Sequence, residues 1–279
     1  MRIAIIGAGN MGAALLGGIL KGGVAQPEDV WATVRTPEKA EELAVKYAVR
    51  ATAGQNPEAA HQADLIVLAV KPATLPKVLK EIRDCLRPDQ ILLSLAAAVP
   101  ISLIQKLSGR PLATFRAMPN IPVLVEEGAT AIAAGAQTTL EQRQFIDCIF
   151  RAVGVAVWVD EELMHAVTAL SGSGPAYVYM VIEALIAGGL KMGLSREVST
   201  KLAEQTVLGA AKLVRETGLH PAILRDQVIT PGGTTISAVH ELERHGLRSM
   251  LISAVETATR TSERRGEALV AQWGKAEDE

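Results

Sequence analysis

The chain is poor in aromatic residues: Phe, Trp and Tyr make up only 3% of its 279 positions. Its core must therefore be filled by Ala, Val, Leu and Ile. At 49% hydrophobic residues there are enough of them for one large domain or two ordinary ones. Cysteine is scarce too. Cys85 and Cys148 lie far apart in helix-like surroundings, which argues against a disulfide or a metal-binding pair and reads as two buried small hydrophobes. An excess of either charge is missing. With a formal net charge of −2, nothing points to a nucleic-acid polyanion or a membrane surface as partner. No uninterrupted apolar run reaches the ~18 residues of a membrane span. Met1 to Ile6 carry one charge and run into a glycine turn, too short for the apolar core of a signal peptide. The five histidines are scattered, so no metal site is expected. These absences predict a protein of the reducing cytoplasm.

What is present divides into two halves. Up to about residue 160, short apolar runs alternate with helical patterns. The runs are Arg2–Ile6, Val30–Val34, Leu65–Val70, Ile91–Leu95, Ala113–Met118, Thr130–Ala134 and Val155–Val159. Runs apolar on both faces, separated by amphipathic stretches, predict a parallel sheet covered on both sides. Right-handed crossovers then give a doubly wound α/β domain over residues 1–160. From Glu161 the strand signals stop. Residues 161–279 read as long helices broken at Ser171–Pro175, Gly193–Ser195, Gly218–Pro221 and Pro231–Gly233. The apolar faces of this all-α half are generous for its size and predict a subunit interface. Met118, Met164, Met180 and Met192 read as core filler, and the charged tail Lys275–Glu279 as frayed.

Gly7-Ala8-Gly9-Asn10-Met11-Gly12 follows the first strand and opens a helix, the context in which this glycine pattern is informative. Gly7 allows a tight turn, Gly9 lets the backbone approach a pyrophosphate, and Gly12 lets the helix pack on the strand. The helix start offers unpaired N–H groups to the phosphates. At the end of the second strand, where NAD-binding folds usually place an acid, stand Arg35 and Thr36. A guanidinium and a hydroxyl suit a 2′-phosphate, which predicts NADPH, with NADH as the alternative. Two more strand ends meet this edge, Lys71-Pro72 and Ala96-Ala97-Ala98. Lys71 reads as a border of the cofactor, with a general acid as the other reading.

Gly7–Gly12, Ala69-Val70-Lys71-Pro72, Met118-Pro119-Asn120, Ser171-Gly172-Ser173-Gly174-Pro175-Ala176-Tyr177 and Pro231-Gly232-Gly233-Thr234-Thr235 together resemble the pyrroline-5-carboxylate reductase family, over essentially the whole chain. The last two motifs are the specific ones. The resemblance implies a Rossmann domain followed by a helical dimerisation domain. It implies an NAD(P)H-dependent oxidoreductase that reduces 1-pyrroline-5-carboxylate to L-proline, the last step of proline biosynthesis. It implies a homodimer, with a decamer as a further assembly. It carries cofactor contacts to Gly7, Ala8, Gly9, Asn10, Met11, Gly12, Arg35, Asn56, Ala69, Val70, Lys71, Pro72, Ala96 and Ala97; Asn120 is placed with this set. It carries product-side contacts to Glu161, Thr234 and Thr235. The chain departs from the family pattern at Gln227, where Asn is frequent, and at Thr234, where Ala is common.

The substrate so implied bears a carboxylate and a cyclic imine. A carboxylate needs donors, and two glycine-rich helix starts offer them: Gly232-Gly233-Thr234-Thr235 after Pro231, and Ser171-Gly172-Ser173 before Pro175. Either can also be simple capping. Thr235 is the candidate for the bond to the imine nitrogen. Its hydroxyl is a poor acid, so it reads as an orienter and proton relay. A β-hydroxyacid dehydrogenase shares the architecture but uses a helix lysine with a downstream Asn, and no clear Lys-x-x-x-Asn pattern stands here. A non-enzymatic nucleotide sensor would not need the glycine motifs of the second half.

Overall fold

The computed structural model describes residues 1–274; the tail Lys275–Glu279, expected to fray, lies outside the described residues. Eight strands form one sheet: β1 (Ile3–Ile6), β2 (Val30–Val34), β3 (Arg50–Ala53), β4 (Leu65–Leu68), β5 (Ile91–Ser94), β6 (Ala113–Met118), β7 (Gly128–Ala134) and β8 (Gly154–Trp158). Their order is β3-β2-β1-β4-β5-β6-β7-β8. The pairs from β3 to β6 are parallel, β6 and β7 run antiparallel with Met118 opposite Ala131, and β7 and β8 are parallel.

The period of two along the strands decides which helices cover which face. Ile3, Ile5, Val30, Ala32, Leu65, Val67, Ile91 and Leu93 point to one side. They pack there on Leu15, Leu16 and Ile19 of α1 (Asn10–Lys21), on Leu43 of α2 (Pro37–Tyr47) and on Ile146, Ile149 and Phe150 of α6 (Leu140–Arg151). Ala4, Ile6, Ile66, Leu68 and Leu92 point to the other side. They meet Ala59 and Ala60 of α3 (Asn56–Gln62), Leu75, Val78, Leu79 and Ile82 of α4 (Leu75–Ile82), and Leu103, Ile104 and Leu107 of α5 (Ile101–Ser108). Few aromatics are needed because glycine brings backbones close. A β-carbon on Gly18 of α1 would fall 1.8 Å from Cγ1 of Val153, and one on Gly22 would fall 2.7 Å from Cβ of Ala152.

The helices after the sheet are α7 (Met164–Val167), α8 (Gly174–Lys191), α9 (Arg196–Thr217), α10 (Pro221–Val228), α11 (Thr234–Arg244) and α12 (Leu247–Gly274). The compact units are Met1–Ser173 together with the chain from Thr257 onward, and Gly174–Glu256. The expected division at 160/161 therefore differs from the compact one in two ways: the first turns after Glu161 belong to the sheet unit, and so does the last part of α12. Trp273 shows why, since it is buried among the residues of the α3–α5 face.

Four further expectations are corrected. Strand β3 carries no apolar run, because all four of its residues are polar or small and none is buried, so its sequence gives no signal. The Ser171–Pro175 break is not a loop: Thr168–Gly172 form a π-helical turn between α7 and α8, with the N–H of Ser173 on the carbonyl of Thr168 at 2.9 Å. Cys148 is exposed and Cys85 half-buried, rather than both buried. Of the methionines, Met164 is buried, whereas Met180 and Met192 stand exposed on this chain. The helical run Glu161–Lys191 is also long and apolar enough, by length and composition, to cross a membrane.

Candidate functional site

The chain turns back on itself between β1 and β4, which are neighbours in the sheet although β2 and β3 intervene in sequence. Ligands of such sheets bind outside the carboxyl ends of the strands at this switch point. The residues there are Gly7 after β1, Arg35 and Thr36 after β2, Ala69–Pro72 after β4 and Leu95–Ala98 after β5.

Gly7 has φ +82°, and a β-carbon on it would lie 2.4 Å from Cγ1 of Val70. Only glycine meets both demands. The turn is pinned by the N–H groups of Gly7 and Ala8, which donate to the carbonyl of Thr33 at 3.0 and 2.8 Å. Gly9 faces open space beyond the turn; a β-carbon there would approach only the carbonyl of Gly7, at 3.9 Å. Gly12 sits against Ala69, Gly7 and Ile5, with contacts of 3.1–3.3 Å for an added β-carbon. The first intrahelical bond of α1 runs from Ala13 to the carbonyl of Gly9. The N–H groups of Asn10, Met11 and Gly12 are thus the unpaired ones of a helix start, the positive end of its dipole. The turn thus combines backbone donors with room at Gly9, an arrangement that suits a phosphate.

Arg35 is exposed, with no ion-pair partner among the described residues. Thr36 caps α2 by accepting from the N–H of Lys39 at 3.4 Å. Asn56 accepts from the Thr33 hydroxyl at 2.7 Å and donates to Glu81 at 3.0 Å, which holds it half-buried beside the ends of β2 and β3. Lys71 is exposed and Pro72 opens a short 3₁₀ turn. Ala96 is buried and Ala97 half-buried.

Two of the expected site residues are engaged in hydrogen bonds within the chain. Asn120 is buried, donates to the carbonyl of Ser171 at 3.1 Å and accepts from the N–H of Ala129 at 2.9 Å. Its amide clamps the π-helical turn to β7. Glu161 has one oxygen on Nη1 of Arg116 at 2.7 Å and on the N–H of Ile101, also at 2.7 Å. That oxygen is the counter-charge of a buried arginine and the cap of α5, while the carboxylate as a whole stays partly open to solvent. The signal was available: Arg116 sits inside an otherwise apolar central strand, and a buried charge requires a partner.

Ser171 and Gly172 lie in the π-helical turn, where the Ser171 hydroxyl donates to the carbonyl of Val167 at 3.2 Å and Gly172 backs onto Met118. The other glycine motif lies in the helical unit. Gly232 has φ +68°, and Gly233 is the residue before α11, with its N–H on the carbonyl of Thr230 at 3.0 Å. Thr234 and Thr235 then form the first turn of α11, so their N–H groups are unpaired in the helix.

An unforeseen cluster surrounds His165, which bonds the Ser262 hydroxyl through Nδ1 at 2.8 Å. Burial and the neighbouring Arg116 charge hold its imidazole below the ordinary histidine range, against Glu263, Glu267 and Glu161. Among the described residues no group of acidic, Cys and His side chains is arranged to hold a metal.

The geometry can be set beside known proteins. Residues 161–265 match the family described as pyrroline-5-carboxylate reductase dimerisation, and residues 2–98 match the family described as NADP oxidoreductase, coenzyme F420-dependent. A pyrroline-5-carboxylate reductase of Methanosarcina acetivorans is 41% identical over 265 residues, covering 95% of this chain and 98% of that one. The structure of the enzyme of that name from Coxiella burnetii superposes with a TM-score of 0.88 at 37% identity, over 96% of this chain and 98% of that one. A Plasmodium falciparum pyrroline carboxylate reductase with NADP bound superposes at 0.85 with 31% identity, over 95% and 98%.

Proposed function

The chain belongs to the pyrroline-5-carboxylate reductase family, and from this we infer how its own residues carry out the reduction of 1-pyrroline-5-carboxylate to L-proline. The carrying observation is the glycine cradle at the β1/β4 switch point in a chain that matches these enzymes along its length. NADPH, when bound, supplies a hydride to the imine carbon, and NADP+ is left.

Everything else falls to the protein. The N–H groups of Asn10, Met11 and Gly12, reached past Gly9, hold the pyrophosphate. Arg35 and the Thr36 hydroxyl face the 2′-phosphate. Ala69, Val70, Lys71, Pro72, Ala96 and Ala97 border the cofactor with small or exposed groups, and Asn56 offers its remaining amide hydrogen beside them. Gly232, Gly233 and the N–H groups of Thr234 and Thr235 receive the substrate carboxylate at the start of α11, where negative charge is favoured. The Thr235 hydroxyl hydrogen-bonds the imine nitrogen, which enters protonated from water and becomes the ring N–H as the C=N bond is reduced.

The chain oligomerises through its dimerisation region. On this chain α8 has no buried residue, and Met180, Leu202, Leu208 and Ile252 are 56–68% exposed. Helices so apolar and so uncovered are the half-core of an obligate interface. The same faces account for the membrane-span-like composition of Glu161–Lys191. We propose a homodimer that assembles further, into a decamer. The exposed thiol of Cys148 suits a reducing compartment, the cytoplasm.

The test is loss of NADPH absorbance with the pyrroline substrate, repeated with NADH, beside NADP+ reduction with hydroxy acids. Turnover of the pyrroline supports the reading. Turnover of hydroxy acids alone transfers the chain to dehydrogenase chemistry, and NADPH binding without turnover makes it a sensor.

A further inference from the structure

Helix α12 carries a glycine where it crosses the loop after β5. A β-carbon on Gly266 would lie 3.1 Å from the carbonyl oxygen of Ala98 and 3.0 Å from Cε1 of His165. The helix is tied down on both sides of that point. Ser262, one turn earlier, is buried and bonded to His165 at 2.8 Å, and Trp273, two turns later, is buried in the α3–α5 face. What α12 presses on is itself unusual. Ala98 has φ +62°, a left-handed conformation that a residue with a β-carbon adopts at a cost, and it is buried. It turns the chain out of β5 immediately after Ala96 and Ala97.

We propose that Gly266 is a positioning residue for the reaction: by letting α12 lie directly on Ala98, it fixes the loop Ala96–Ala98 against the cofactor. The inference rests on the reading above that this loop borders NADPH. A methyl at position 266 demands a shift of a few tenths of an ångström from a loop already in a constrained conformation. A small displacement of a positioning loop is felt at the cofactor before it is felt at the substrate carboxylate.

The experiment measures the NADPH dissociation constant, both KM values and the melting temperature of Gly266→Ala. The expected result is a folded enzyme whose NADPH dissociation constant rises about fivefold to tenfold while the pyrroline KM at saturating NADPH stays within about twofold. Ala98→Gly in the same chain should restore most of the affinity, because glycine lets the loop yield without strain. A parental NADPH constant in the folded variant overturns the proposal. So does failure of Ala98→Gly to restore it, which would assign the loss to general packing of α12. Should Gly266→Ala not fold, Ser262→Ala, which removes only the tie to His165, must raise the NADPH constant by about twofold to fivefold, and parental binding overturns the proposal equally. Ala97→Val keeps the two readings apart. If it leaves NADPH affinity unchanged, the loop is not at the cofactor and the site reading fails. If it weakens binding while Gly266→Ala does not, only the positioning role fails.

Discussion

Arg116, almost wholly buried in β6, places Nη1 2.7 Å from a carboxylate oxygen of Glu161. The same oxygen accepts the N–H of Ile101, and Nε of Arg116 has no partner, so this one carboxylate neutralises a charge that water cannot reach. The pair joins the central strand to the first turn after the sheet. Glu161→Gln should therefore cost about 3 kcal/mol of stability, the low end for breaking a buried pair because Glu161 still touches solvent. Denaturant unfolding measures it. The pyrroline KM of the folded variant reads the second role that the family resemblance implies: a large rise supports a substrate contact, and a parental value confines Glu161 to its ion pair.

Gly7 combines a left-handed backbone with a contact of 2.4 Å between an added β-carbon and Val70. Gly7→Ala should weaken NADPH binding by roughly 10- to 100-fold, as strain of about 1–3 kcal/mol is relieved by moving the turn away from the phosphate. Fluorescence titration with NADPH decides it; unchanged binding would mean that the turn does not hold the cofactor.

Arg35→Asp exchanges a guanidinium for a carboxylate at the end of β2. NADPH binding should fall at least about tenfold more than NADH binding, since a charge-assisted bond is lost and a repulsion gained only for the 2′-phosphate. Equal losses for both cofactors would remove Arg35 from the selectivity site.

Thr235→Ala should lower kcat by roughly 10- to 1000-fold, the range for one positioned polar group at a reacting centre. Steady-state turnover at saturating pyrroline is the readout. A rate within twofold of the parent would remove Thr235 from the mechanism.

His165 is held below the usual histidine range by burial and by Arg116, partly offset by Glu263, Glu267 and Glu161. The folded state therefore prefers the neutral ring, and the unfolded chain binds the proton first as pH falls. Stability from this residue is present above the unfolded value near pH 6.5 and is lost as pH drops from there toward the lowered folded value. The melting temperature of the parent should fall more between pH 7 and 5.5 than that of His165→Gln. Parallel curves would show that His165 does not titrate with unfolding.

The glycine turn after β1 could be read from residues alone because its demands are local. A turn with positive φ requires Gly7, and the helix packed on the strand requires a small residue at Gly12. Strand β3 escaped because it lies at the sheet's edge and offers the core little more than the methyl group of Ala51. What Asn120 and Glu161 bond within the chain was not legible, because a polar residue beside a motif gives no sign of its partner. Their partners, Ser171 at 51 positions and Arg116 at 45, are set by folding. Met180 and Met192 share their spacing with core residues, and only the folded chain shows that both stand exposed on it.

The sequence by itself determined the parallel sheet, the glycine cradle, the helical second half and the kinship with pyrroline-5-carboxylate reductases, since each follows from short-range periodicity and motif spacing. Only the tertiary structure decided that Glu161 serves Arg116, that Asn120 clamps the π-helical turn and that α12 rests on Ala98 at Gly266. Those are contacts between residues distant along the chain, and which charge is buried or which backbones touch is fixed by packing, to which local pattern is blind.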